Sequence, residues 1–282
     1  MSKAAWCTGY RSVNGFRQFF RDWAPSHADG PPVLALHGSL TQSGMWIALA
    51  ERAASVRILC PDQRGFGLSE DPGGDSCAEF AADAVALAEQ ILPGRYVVMG
   101  HSFACSIALE VARIAAKESL GVVLVDPVVR TAATPAPPFV SPVESYGSLE
   151  SAESHFRTTE EGSWPGEALR KFTQDVMVRD PKSGTWRMPY TAERLLRLRR
   201  FTSSEASDYN IFDKAKHVRC PVLIFRGGMS KRFRFEAEQP FMEAFSVRPK
   251  LVVCARSGHF PATTETDLVA GALKGFIVGL SK

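Results

Sequence analysis

The chain has no Cys-x-x-Cys pair, no apolar run of membrane-spanning length and no large excess of one charge. Its six cysteines, Cys7, Cys60, Cys77, Cys105, Cys220 and Cys254, are scattered, a spacing that speaks against zinc. Cys60, Cys105, Cys220 and Cys254 lie in or beside apolar runs, where a buried free thiol is the expected state. No apolar run approaches the ~18 to 20 residues of a spanning helix. The opening "MSKAAWCTGY" lacks the apolar core of a secretory signal. These absences predict a soluble, reduced, cytoplasmic protein with no membrane partner. The 33 basic and 30 acidic side chains leave a net charge of +3, too small to imply nucleic acid. No Lys/Arg block is interleaved with aromatic residues as a single-strand binding groove requires. "RLLRLRR" at 194–200 comes nearest.

What the chain does have is enough apolar material for a large core: 282 residues, 45% hydrophobic. Residues 10–23 read as two strands about Asn14-Gly15, a pair that supplies the positive φ values of a tight hairpin. "PPVLALHG" (31–38), "VRILC" (56–60), "RYVVMG" (95–100), "GVVLVD" (121–126), "CPVLIFRGG" (220–228) and "KLVVCARSG" (250–258) are short apolar runs of buried-strand type. Between and after them, 77–92, the run beginning at Phe103, and 266–280 have helical periodicity. Such alternation predicts an α/β protein with a parallel sheet covered on both faces. It stops between about 130 and 215. That stretch opens on the proline-rich "TPAPPFVSP", shows polar helical patterns and contains no buried strand, so it reads as a mostly helical insertion.

Four motifs carry chemistry. "GHSFA", Gly100 to Ala104, follows a buried strand and precedes a helix. Small residues at both ends suit a sharp strand-to-helix turn that exposes the Ser102 hydroxyl at the sheet's carboxyl edge. "HGSL", His37 to Leu40, can bring a backbone N–H near that hydroxyl. An oxyanion needs two donors at ~3 Å. The Phe103 N–H is one candidate and Ser39 the other, with Leu40 as the alternative. His37 itself reads as structural. "PDQRGFGLSE" (61–70) reads as a supporting loop tied by Asp62 and Arg64. "ARSGHFP" (255–261) places His259 at the carboxyl end of the last strand, after the serine in chain order. His27 and His155 sit in polar segments and His217 at a strand's far edge, so His259 is the candidate general base.

Together, "HGSL", "DQRGFGLS", "GHSFA" and "SGHF" resemble the α/β-hydrolase superfamily. The likeness covers roughly 10–130 and 213–282. It implies an eight-stranded, mostly parallel sheet, a core of 1–130 and 213–282, and a helical cap of 131–212 inserted after the sixth strand. The superfamily's usual order is Ser, then acid, then His. Its acid commonly follows the seventh strand within "G-x-x-D", and here Ser230 stands in that position. Asp126, at the end of the sixth strand, is the favoured replacement. The resemblance extends to members whose acid lies there, among them certain dehalogenases, lactonases and the amidohydrolase for (acetamidomethylene)succinate. Glu236 and Glu238 are alternatives, and a dyad or inactive site is the third option.

The expected function is therefore hydrolysis of a small-molecule ester, lactone or amide through an acyl-enzyme, by Ser102, His259 and Asp126, with no metal and no cofactor. A carbon–carbon bond hydrolase would use the same residues, and a non-catalytic receptor is the alternative from another class. Haloalkane dehalogenase and epoxide hydrolase chemistry is disfavoured, because both use an aspartate where this chain has Ser102. The basic stretch from Arg187 to Arg200 suggests that Arg187 or Arg197 binds a substrate carboxylate, while Arg194 could face either way. Trp164, Trp186 and Phe139 are candidates for pocket wall or cap core. The oligomeric state is open, a homodimer being one option.

Overall fold

Residues 5–130, 145–159, 164–203 and 208–281 are described by a computed structural model. Phe139 and the proline-rich stretch lie outside them. Strands β1 (Ala5–Val13) and β2 (Phe16–Ala24) form an antiparallel hairpin. Its turn has φ 46° at Asn14 and 87° at Gly15, the conformation that Asn-Gly favours. The remaining strands of the sheet are β3 (Val33–Leu36), β4 (Ile58–Pro61), β5 (Tyr96–His101), β6 (Ser119–Val125), β7 (Val222–Gly227) and β8 (Lys250–Cys254). Their order is β1-β2-β4-β3-β5-β6-β7-β8, parallel from β4 onward. β3, β4, β5 and β7 are buried along their whole length. This is why they appear in the sequence as continuous apolar runs and not as alternating ones.

Helices α1 (Ile47–Arg52), α2 (Cys77–Ile91) and α3 (Ala104–Ile114) follow the early strands. α2 starts at a capping box, with the Ser76 hydroxyl accepting from the Glu79 N–H and the Glu79 carboxylate accepting from the Ser76 N–H. Between β6 and β7 come α4 (Leu149–Thr159), α5 (Gly166–Val176), α6 (Ala192–Ser203) and α7 (Ile211–Ala215). Three two-residue strands, 145–146, 178–179 and 186–187, make a small separate sheet there. They are too short and too exposed to leave a pattern in the sequence. α7 straddles the expected boundary at residue 213 and packs on α3. The chain closes with α8 (Glu238–Glu243), α9 (Pro261–Thr264) and α10 (Thr266–Leu280). α2 packs with α3, and α1 with α10, in two layers flanking the sheet. No helix among the described residues is long and apolar enough to cross a membrane.

The insertion is tied to the core through polar contacts. Arg194, 1% exposed, pairs with Asp75. Arg197 reaches Asp71 at 2.6 Å and Asp75 at 3.3 Å. The Tyr209 hydroxyl donates to the Asp75 carbonyl at 2.8 Å, and Asp208 accepts from the Cys77 N–H at the start of α2 at 2.8 Å. Cys60, Cys77, Cys105 and Cys254 are buried, Cys220 half-buried and Cys7 exposed; all six are free thiols. Cys77 is thus more deeply buried, and Cys220 less, than their neighbours in the sequence suggest.

Candidate active site

The register of the parallel strands assembles the site. His101 of β5 lies opposite Val125 of β6, and Val125 opposite Phe225 of β7. Ser102 and Asp126 therefore leave adjacent strands at the same level, at the carboxyl edge where open α/β sheets place their ligand sites. Both residues have positive φ, 59° and 44°. For Ser102 this is the sharp turn from strand to helix, strain of the kind held at functional sites. Gly100 has no room for a side chain, since a Cβ there would run into the Ala104 carbonyl of the first helical turn.

Three side chains form a continuous hydrogen-bonded line. The Ser102 hydroxyl lies 2.9 Å from Nε2 of His259, and Nδ1 of His259 lies 2.6 Å from Oδ2 of Asp126. Asp126 is fully buried. Its Oδ1 accepts from the Gly227 N–H at 2.9 Å, and its Oδ2 also accepts from the Ser230 hydroxyl at 2.6 Å. Burial raises the Asp126 carboxyl, a shift that the Ser230 and Gly227 donors oppose. Burial lowers the His259 imidazole, reinforced by the positive charge of Arg232. The second effect favours neutral His259, the form that can accept a proton.

Ser230 is thus not a vacancy where an acid is missing. Its hydroxyl donates to Asp126 and accepts from the Arg232 N–H at 3.0 Å. Glu236 is exposed, and Glu238 pairs with Arg226 at 3.0 Å; Nδ1 of His259 is directed at Asp126 and not at either glutamate.

The loop after β3 sits against the turn at Ser102. A Cβ on Gly38 would stand 3.4 Å from the Ser102 Cβ and closer still to the His101 ring. The N–H groups of Ser39, Leu40 and Phe103 make no hydrogen bond to any described residue. The Phe103 ring is held 5.8 Å from Phe80, 6.1 Å from Tyr209 and 6.3 Å from Phe66.

His37 is fully buried and bonded at both nitrogens. Nε2 accepts from the Gln63 N–H at 3.0 Å, so Nδ1 carries the proton and donates to the Gly38 carbonyl at 2.8 Å. Burial pulls its pKa down to about 3. Asp62 accepts from the N–H groups of Ser43 and Leu68, and Arg64 pairs with buried Asp83 at 2.6 Å. These groups hold the two loops together.

His101 gave no functional signal beyond its place before Ser102. Its Nε2–H donates to the His259 carbonyl at 2.7 Å, with the rings 4.7 Å apart. It thereby fixes the backbone of the loop that carries His259. Trp164 packs 5.7 Å from Phe260, the residue after His259, and 5.1 Å from Phe172. Trp186 instead lies in the small sheet against Arg179. Arg197 is engaged by Asp71 and Asp75, and Arg187 donates weakly to the carbonyls of Met188 and Gly67 at 3.3 and 3.4 Å. The structure thus brings Ser102, His259 and Asp126 together and sets Gly38, just before Ser39 and Leu40, against the Ser102 turn. It leaves Trp186 and Arg197 engaged elsewhere.

A parallel sheet flanked by helices, with a strained serine turn and a histidine loop at its carboxyl edge, defines an α/β-hydrolase-type architecture. The model of the alpha/beta hydrolase family matches residues 33–272, and the chain belongs to that family. Haloalkane dehalogenase 2 of Mycobacterium tuberculosis (strain ATCC 25618 / H37Rv) is 36% identical over 104 residues, 34% of this chain and 34% of that protein. The chain thus matches only about a third of that curated relative's length. The thioesterase domain from the curacin biosynthetic pathway superposes with a TM-score of 0.76 at 19% identity, covering 98% of this chain and 99% of that one. E-2-(acetamidomethylene)succinate hydrolase superposes with a TM-score of 0.73 at 20% identity, covering 97% and 99%. At these identities the two structural likenesses concern the fold.

Proposed function

We propose that this hydrolase-family chain is a serine hydrolase that cleaves a small-molecule ester, lactone or amide through an acyl-enzyme. The observation that carries the reading is the line Ser102–His259–Asp126, with contacts of 2.9 and 2.6 Å. Neutral His259 takes the Ser102 proton as the oxygen attacks the substrate carbonyl. Asp126 holds the imidazole in the tautomer with Nδ1–H and stabilises its positive charge. The Phe103 N–H and that of Ser39, with Leu40 as the alternative, receive the oxyanion. His259 then gives its proton to the leaving group, and water attacks the acyl-enzyme with His259 again as base. The dehalogenase named above does not carry its activity over, since a short match says little of the reaction and position 102 is a serine. The described residues of the insertion act in this reading as a cap over Ser102, with Phe172 and Trp164 packed on Phe260 of the histidine loop at 5.2 and 5.7 Å.

A fluorophosphonate probe tests the reading. Labelling of the native protein at Ser102, lost in His259→Ala, is the expected result; an unlabelled, folded protein would favour the receptor reading. A panel of esters, lactones and amides then assigns the bond.

Ser230 gives a pH prediction. Its hydroxyl favours the ionised form of Asp126, so Ser230→Ala raises the pH at which the site loses its inhibitory proton. The acidic limb of kcat/KM should therefore move to higher pH in Ser230→Ala, with the plateau largely kept. An unmoved limb would show that Ser230 does not tune the acid.

A further inference from the structure

Arg194 and Arg197 of α6 leave little for a substrate. They are taken up by Asp71 and Asp75. A second group of guanidinium bearers lies elsewhere, where the segments leaving β6 and β7 run side by side. The Val129 N–H donates to the Arg232 carbonyl at 3.1 Å, which sets Arg130 beside Arg232. Arg232 is held from its other side by Ser230, whose hydroxyl accepts the Arg232 N–H at 3.0 Å and donates to Asp126 at 2.6 Å. Its backbone is thus one side chain removed from the buried acid and two from His259.

The Arg232 side chain is half-buried and makes no hydrogen bond or ion pair with any described residue. Its charge is felt at His259, whose imidazole it helps to hold low after the larger effect of burial. Arg130 is also lowered, by desolvation first and then by the charges of Arg199 and Arg232. Arg232 is thus a half-buried positive group close enough to act on the histidine. Holding the Arg232 guanidinium partly out of water without a partner costs free energy that an anion would offset. A planar carboxylate matches the two-pronged guanidinium.

We propose that Arg232 anchors a carboxylate of the substrate beside Ser102, making the preferred substrates carboxylate-bearing acyl compounds. This rests on the serine-hydrolase reading above and names its substrate class. The anion receptor then comes from the loop after β7, not from Arg187 or Arg197.

The experiment compares matched ester pairs on one protein preparation. Mono-4-nitrophenyl succinate against 4-nitrophenyl butyrate places the carboxylate on the acyl side. 4-Acetoxybenzoate against phenyl acetate places it on the leaving group. The wild type should prefer the carboxylate member of at least one pair. Arg232→Gln should reduce that preference, expressed as the ratio of kcat/KM values, by about 10- to 100-fold, chiefly through KM. Arg232→Lys should restore part of it. Arg234→Gln removes an equal charge from an exposed side chain two residues on and should leave the ratio unchanged. Because each ratio is taken within one variant, partial misfolding cancels. A ratio that Arg232→Gln leaves in place, or a wild type with no preference in either pair, overturns the proposal. Failure to turn over any of the four esters, with no fluorophosphonate labelling, overturns the hydrolase reading and takes the substrate class with it.

Discussion

Ser102→Ala is expected to lower kcat by about 10⁶ while leaving a folded protein. The hydroxyl is the atom that Nε2 of His259 faces at 2.9 Å. Cys105, three residues after Ser102, is fully buried, and its Sγ–H is directed to the Gly100 carbonyl at 3.1 Å. Burial raises its pKa further, so it cannot substitute as a thiolate. The backbone donors around the site survive the change, so some acceleration over water should persist. Initial rates on the best ester of the panel and a thermal melt check this. A melt close to wild type with activity reduced by less than tenfold would place the nucleophile elsewhere.

The second large effect is Asp126→Asn, for which kcat should fall by about 10⁴. The local hydrogen bonds explain why an isosteric amide fails. Oδ1 faces the donor N–H of Gly227, and Oδ2 faces the Ser230 hydroxyl and Nδ1 of His259. An asparagine that keeps its oxygen toward Gly227 turns its NH₂ to His259. Nδ1 must then accept, the proton moves to Nε2, and His259 can no longer take a proton from Ser102. The opposite flip sets NH₂ against the Gly227 N–H, donor against donor. The first orientation loses the base and the second loses a buried bond. Steady-state kinetics over a range of pH test this, and activity within tenfold of wild type would end the case for Asp126 as the acid.

Much of this site is legible in the amino-acid order alone. The apolar runs locate the central strands, because each is buried on both faces and tolerates little polarity. The turn at Ser102 is legible because the backbone there demands small residues at fixed offsets. His259 is identified by its place after the last strand. The support given by Ser230 is not legible. A serine in an acid's usual position reads as a loss, and only the approach of β6 and β7 shows its hydroxyl on the Asp126 carboxylate. The arginines of α6 mislead for a related reason. Periodicity tells which residues share a face, but not that the facing loop holds Asp71 and Asp75.

The division follows the range of the interactions. Local sequence suffices for the elements, the strained turn, the oxyanion-donor candidates and the histidine loop. Each depends on the hydrogen bonding and burial of neighbouring residues and so leaves a contiguous pattern. Folding of the whole chain was needed to settle which carboxylate meets His259, where the Ser230 hydroxyl goes and which arginines are engaged by aspartates. The contacts concerned join residues 157, 133 and 104 positions apart, Ser102 to His259, Asp126 to His259 and Asp126 to Ser230. No local pattern records such pairs; they form because the register of a buried parallel sheet brings the ends of its strands to one edge.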